Sequence, residues 1–367
     1  MSVTWRQVAA WRTRRHFLDA RRPAGEAWEV VSRLCGLHAQ LMPSAEATLR
    51  ARVDGLADDA VDRALWTDRT LVKTWSMRGT LHLLPAAEYP LWQAGFATYR
   101  HYLKPVWLRN FHIGAEELTA LVDAVGEALA DRVLTRAELA DEVAARTSAH
   151  IGEKLRESWG AYLKPASFQG RLLFGPGEGR FVRFTAPRTW LGVDPAGAGA
   201  GAVEEIALRF LAQQGPATRE DFARWWGVSP ADGGRVFTAL GDRIQPVDVE
   251  GAPHWARAED VAGLRAAEPV KTVRLLPAFD QYVVAATRHA THLLDGGTPE
   301  MVYRPQGWLS PVLMVNGMLA GVWSQERRGG RVVVTVEPFR SLSAAARKTV
   351  LTEVDRMTDP TEVHWVG

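Results

Sequence analysis

Two hexads in this chain open helices in the same way. Thr135-Arg136-Ala137-Glu138-Leu139-Ala140 and Thr218-Arg219-Glu220-Asp221-Phe222-Ala223 share a threonine, an arginine, an acid at the fourth position and an apolar residue followed by alanine. A threonine hydroxyl can accept from an unpaired backbone N–H of the first helical turn, and an acid three residues on can reach back, so each hexad reads as a capped helix start. A recurring start implies one module used more than once. The chain is then divided into units, which its 367 residues also favour at roughly 100–200 residues per domain.

The flanks of the hexads extend the pattern. Val203, Ile206, Ala207, Phe210 and Leu211 recur at helical spacing before Gly215-Pro216. Phe222, Trp225 and Trp226 give the next helix its apolar face, Gly227 stops it, and Ser229-Pro230 opens a third helix running to about Leu240. Two β-like runs, 244–249 and 254–257, follow. Three helices and a hairpin, in that order, describe a winged helix-turn-helix. Around the first hexad, 118–129 is an amphipathic helix, and 171–174 and 180–184 flank Gly175-Pro176-Gly177-Glu178-Gly179. Those glycines lead into a strand rather than a helix, which excludes a phosphate loop and indicates a hairpin turn.

A looser first module fits 4–84, with helices near 4–14, 26–34 and 58–65 and a β-rich stretch at 71–84; residues 195–202 are a small-residue linker. Beyond Leu264 the expected strands are 272–276, 282–285, 312–315, 318–323 and 332–336, with Asn316-Gly317 as a two-residue hairpin turn, a helix at 344–357 and a last strand at 363–366. The expected class is α+β, with tandem winged helix-turn-helix modules and a β-rich C-terminal region. The expected boundaries are 1–110, including the candidate catalytic segment, then 111–194, 203–264 and 265–367.

Composition removes several function classes. Hydrophobic residues at 47% and charged residues at 23% fit a globular chain. No apolar run reaches the roughly 20 residues that span a bilayer, and the N-terminus lacks a secretory signal, so a cytoplasmic protein is expected. The single cysteine, Cys35, rules out an internal disulfide and a cysteine-based zinc cluster, and beside Leu34 it reads as a buried thiol. Net charge is only +2, yet basic residues cluster at Arg12-Thr13-Arg14-Arg15, Arg21-Arg22, Arg50-Ala51-Arg52 and around Arg327, Arg328 and Arg331. Such clusters form either a basic face for nucleic acid or ordinary solvated surfaces.

No metal or other cofactor is expected: His289-x-x-His292 with Asp295 is the nearest approach to a ligand set, without an HExxH pattern or paired cysteines. Chemistry is left to the segment after the second helix. Val30, Val31 and Leu34 form one helical face, and Gly36 fits the left-handed stop. In an extended segment residues two apart share a face. His38 and Gln40 would then project together while Leu37, Ala39 and Leu41 face the core, and Pro43 favours an extended Met42. The residues alone equally allow His38 and Gln40 simply to satisfy nearby backbone groups.

Trp5-Arg6-Gln7, then Gly36-Leu37-His38-Ala39-Gln40, then Trp75-Ser76-Met77-Arg78-Gly79-Thr80-Leu81-His82-Leu83, and finally Leu275-Leu276-Pro277-Ala278-Phe279-Asp280-Gln281-Tyr282 together resemble the AlkZ-type DNA glycosylases over nearly the whole chain. The resemblance implies tandem winged helices around a basic DNA channel and excision of bulky alkylated purines, in some members adducts or crosslinks left by antibiotics to which the producer is resistant. Their Gln-x-Gln catalytic motif falls on His38 and Gln40, a His-x-Gln variant. It implies that Gln40 holds a water against C1′ and that His38 accepts its hydrogen bond or its proton, with Asp280 either stabilising developing positive charge or capping a loop. No lysine lies beside the motif, so an abasic site without strand cleavage is expected. The DNA contacts expected are Lys73, Arg78, Arg327, Arg328 and Arg331, with the Asn316-Gly317 turn as a wedge or an ordinary turn. The implied partner is double-stranded DNA carrying an alkylated purine, met by a monomer. The rival readings are a winged-helix transcription regulator, for which the 229–240 helix offers only Arg235 among strongly basic residues, and a purely architectural DNA-binding protein.

Overall fold

Each threonine of the repeated hexads caps a helix. Thr135 Oγ1 accepts from the Glu138 N–H at 3.3 Å while the Thr135 N–H donates to Glu138 Oε2 at 2.8 Å, opening helix Arg136–Arg146. Thr218 and Asp221 make the same reciprocal pair at 3.1 and 3.0 Å ahead of helix Arg219–Trp226. Ser229 and Asp232 do so for helix Pro230–Leu240. These caps satisfy N–H groups that the helix itself leaves without partners.

The structure, a computed structural model, describes residues 2–157, 160–194, 197, 199, 201–286, 290–328, 331–357 and 360–366. His289 and half of the expected 195–202 linker lie outside them. The chain is a mixed helix and strand protein that divides into two compact units: residues 1–57, 207–225 and 229–367 form one, and residues 58–206 with 226–228 the other. These units cut across the contiguous boundaries expected at 110, 194, 203 and 264. The first unit is discontinuous because the N-terminus packs on a late hairpin. The Val3 N–H donates to the Asp248 carbonyl at 2.8 Å and the Glu250 N–H to the Val3 carbonyl at 3.1 Å. Val3 and Val8 join Val247, Val249, Val261 and Leu264 in one core.

In this first unit, helix Trp5–Arg15 is followed by helices Ala27–Arg33 and Met42–Arg50 and, later, by the antiparallel pair Ile244–Val249 and Ala252–Arg257. The C-terminal part holds, among the described residues, a five-stranded sheet in the order Val273–Leu276, Val312–Val315, Met318–Arg328, Arg331–Pro338 and Pro360–Trp365. Its first four strands are antiparallel and the last is parallel, joined through helix Ala344–Met357. Side chains alternate between faces: Leu275, Leu313, Val334 and Val336 pack under that helix with Val350 and Val354, while Leu276, Val312 and Met314 enter a second core with Tyr282, Leu293 and Val302.

The stretch 282–285, read from its valines as a strand, is part of a buried helix, Gln281–Ala286. Met42, expected to be extended before proline, begins a helix instead, with Pro43 in the first turn, where a missing N–H costs nothing.

In the second unit, hairpin Leu71–Trp75 with Leu81–Pro85 and the three-stranded sheet Val133–Thr135, Phe181–Thr185 and Leu173–Glu178 accompany helices Ala115–Ala128, Arg136–Arg146 and Ala149–Glu157. Gly175 to Glu178 lie within a strand, and the turn falls at Gly179, where φ is 57°. No helix among the described residues is long and apolar enough to cross a membrane.

Candidate active site

Helix Ala27–Arg33 is stopped by two successive left-handed residues, Cys35 at φ 58° and Gly36 at φ 90°, with the Gly36 N–H returned to the Val31 carbonyl at 2.9 Å. The chain leaves that stop extended, as Leu37–His38. Leu37 and Ala39 are fully buried and anchor the segment; Gln40 is exposed. His38 is buried because the Phe279 ring covers it: the two rings are parallel within 7° at a centroid separation of 4.8 Å. Leu41, expected in the core, is exposed, since the helix begins at the next residue.

The turn carrying Phe279 is fixed at three consecutive positions. Asp280 accepts from Arg52 Nη1 and Nη2, both at 2.7 Å, and from the Tyr282 N–H at 2.9 Å. Gln281 Nε2 donates to the Gly36 carbonyl at 2.6 Å, and the Tyr282 hydroxyl donates to the Gly317 carbonyl at 2.7 Å. Arg52 Nε also donates to the His16 carbonyl and Nη1 to the Thr48 carbonyl.

Asp280 is fully buried and paired with Arg52, and its bond to the Tyr282 N–H is the kind of contact expected of a local cap. Arg52, grouped by sequence with surface arginines, is wholly internal, as is most of Arg12, whose Nη2 donates to the Pro216 carbonyl at 2.7 Å. Burial lowers the Arg12 pKa from its usual value. Cys35 is buried, as its neighbours suggested.

The Asn316-Gly317 turn is present, with Val315 opposite Met318; Asn316 is exposed and Gly317 is buried. Asn316 Oδ1 accepts from the Thr272 N–H at 3.0 Å, and a β-carbon on Gly317 would lie 2.7 Å from Thr13 Oγ1 and 2.9 Å from the Ala9 carbonyl oxygen. Gly317 is thus seated against the helix that carries Ala9 and Thr13. Arg327, Arg328 and Arg331 are exposed at the end of their hairpin, whose turn residues 329–330 lie outside the described residues; Arg328 pairs with Glu326 at 2.5 Å. Lys73 and Arg78 belong to the other unit. Lys73 is partly buried with its ammonium 5.5 Å from the Phe174 ring centre, and burial lowers its pKa. Arg78 is exposed at a left-handed φ of 57°.

Phe279, Arg52 and Trp308 are the neighbours of this site that sequence did not assign. Phe279 and Asp280 stood in a quoted motif, but nothing in spacing pairs that motif with His38 or Arg52. Among the described residues no group of three or more His, Cys, Asp or Glu side chains is arranged to hold a metal ion.

A polar pair on a short extended segment, locked by a distant turn within a mixed helix and strand fold, defines a site whose class is identified by similarity to known proteins. The chain belongs to the family described as DNA glycosylase AlkZ-like, hydrolases of N-glycosyl bonds, whose model matches residues 31–359. The interstrand DNA cross-link repair glycosylase of Streptomyces sahachiroi is 35% identical over 329 residues, 88% of each chain. The solved structure of the Streptomyces sahachiroi DNA glycosylase AlkZ matches with a TM-score of 0.89 at 33% identity, covering all of both chains.

Proposed function

We propose that this protein is a monofunctional DNA glycosylase that hydrolyses the N-glycosidic bond of alkylated purines in double-stranded DNA, acting as a monomer through His38 and Gln40. Its substrates are bulky N7-alkylguanine adducts of the kind left by DNA-damaging antibiotics, for which excision is self-resistance, and its product is an abasic site in an uncut strand. The observation that carries this reading is the contrast within the motif: Gln40 is exposed, while His38, two residues away, lies buried and stacked on Phe279 inside the region that matches the family. The cross-link repair named for the relative supports a bulky lesion.

The chemistry suits such a pair. Alkylation at N7 makes the guanine cationic, so the base departs with the electrons of the C1′–N9 bond and needs no strong acid. What remains is to place a water against the oxocarbenium-like sugar. The Gln40 amide holds that water, and the neutral imidazole of His38 accepts its hydrogen bond and then its proton as oxygen bonds to C1′. Orientation and fixed dipoles supply most of the acceleration. A lyase step requires an amine nucleophile, and no lysine lies beside the motif in the sequence. Arg327, Arg328 and Arg331, with Lys73 and Arg78, contact phosphates, and the wings of the helical modules shape the duplex-binding surface.

The test is a duplex containing N7-alkylguanine, incubated with the protein and heated in alkali to break abasic sites. Wild type yields cleavage on bulky adducts and Gln40→Ala does not. No product from wild type on simple and bulky adducts alike refutes the activity, whereas equal rates for the two proteins refute the site.

A further inference from the structure

The residue that covers His38 is also one whose backbone sits in an unfavourable region. Phe279 has φ 59°, a left-handed conformation that is unfavourable for a bulky L-residue and is normally given to glycine, asparagine or aspartate. Its surroundings impose it. The next residue is clamped by Arg52, which follows helix Met42–Arg50, and the one after that by the Gly36 carbonyl, so the clamps lie on both sides of the segment holding His38 and Gln40. Strain of this kind persists where the structure over-determines it, and it concentrates at functional sites. A glycine at 279 would relieve the strain and lose only the ring. That ring lies parallel to His38 at 4.8 Å and meets the half-exposed Trp308 nearly perpendicularly at 5.1 Å.

We infer that Phe279 is a positioning residue for glycosidic-bond hydrolysis: its ring fixes the plane of the His38 imidazole, so that the water held by Gln40 meets the same nitrogen edge in every turnover. This rests on the reading of His38 and Gln40 given above. An aliphatic side chain could fill the space, but a parallel stacked arrangement needs an aromatic face. The backbone strain is accepted for that face.

The test uses the full chain with Phe279→Leu, Phe279→Tyr and His38→Ala on a duplex containing N7-methylguanine, with KM, kcat, melting temperature and the NMR shift of the His38 ring protons read for each. Phe279→Leu is expected to lower kcat by about tenfold to a hundredfold with KM nearly unchanged, and to move the His38 resonances downfield as the ring current is removed. Phe279→Tyr is expected to keep both the shift and the rate. Wild-type kcat in Phe279→Leu, with His38→Ala inactive, overturns the positioning role and leaves the site standing. A loss of kcat that Phe279→Tyr fails to rescue and that tracks melting temperature also overturns it. Wild-type activity in His38→Ala overturns the site itself and this inference with it.

Discussion

Each terminal nitrogen of Arg52 lies 2.7 Å from one carboxylate oxygen of Asp280, and neither side chain reaches solvent. A forked guanidinium matched to a carboxylate in this way is the strong form of an ion pair. Taking both charges out of water offsets much of that strength, whereas removing one leaves the other stranded. Arg52→Ala or Asp280→Ala is expected to lose about 3–5 kcal/mol, read from urea midpoints. The double variant Arg52→Met, Asp280→Leu is expected to lose less than the sum of the two.

Gln40 and His38 differ in burial, and their variants are expected to separate accordingly. Gln40→Ala, at an exposed position, should leave stability within about 0.5 kcal/mol of wild type while activity falls by about a hundredfold or more. His38→Ala should lose activity and also lower the melting temperature, because it empties the space beneath Phe279. Thermal melts beside the alkaline cleavage assay measure both.

His16 is held well below its usual pKa of 6.5, first by burial and then by the charges of Arg52 and Arg12. Its lowered folded pKa means that below about pH 6.5 the unfolded chain binds a proton the folded chain refuses. Stability conferred by neutral His16 is thus present above that pH and declines as the solution is acidified, with a slope of at most about 1.4 kcal/mol per pH unit. His16→Gln is expected to flatten the dependence between pH 6.5 and 5, measured by denaturant titrations across that range. An unchanged slope would show that His16 is not the titrating group.

Gly317 combines a φ of 82° with close packing against the helix that carries Ala9 and Thr13. Gly317→Ala is expected to destabilise by more than about 1 kcal/mol without altering duplex affinity in the folded protein, which calorimetry and fluorescence anisotropy distinguish.

Arg327 and Arg331 are exposed at the hairpin end. Replacing either with alanine should reduce the salt dependence of duplex binding by about one unit of the log–log slope for each phosphate that is no longer neutralised, with little change in melting temperature. An unaltered slope would remove that residue from the binding surface.

The capped helices were legible because their signals lie within four residues, as in Thr135 with Glu138 and Ser229 with Asp232. Helix Gln281–Ala286 was not, because complete burial overrides the strand preference of Val283 and Val284. The division into units was hidden because Val3 bonds to Asp248 and Glu250, partners no local pattern can name. At the candidate site the sequence marks Gly36 as a stop and sets His38 two residues from Gln40. It leaves unmarked the ring that covers one of them and the ion pair that fixes that ring, since both depend on the meeting of distant segments.

Strand Met318–Arg328 is flanked on both sides only as far as Val322, where its register with Val312–Val315 ends apart from a bond from the Trp323 N–H to the Pro311 carbonyl. From Ser324 onward it pairs, among the described residues, with Arg331–Pro338 alone and exposes Gln325, Glu326, Arg327 and Arg328. An open edge of that length is a template for strand addition by a second copy, and its charged side chains discourage such pairing. Neutralising the tip would therefore also weaken a guard against self-association.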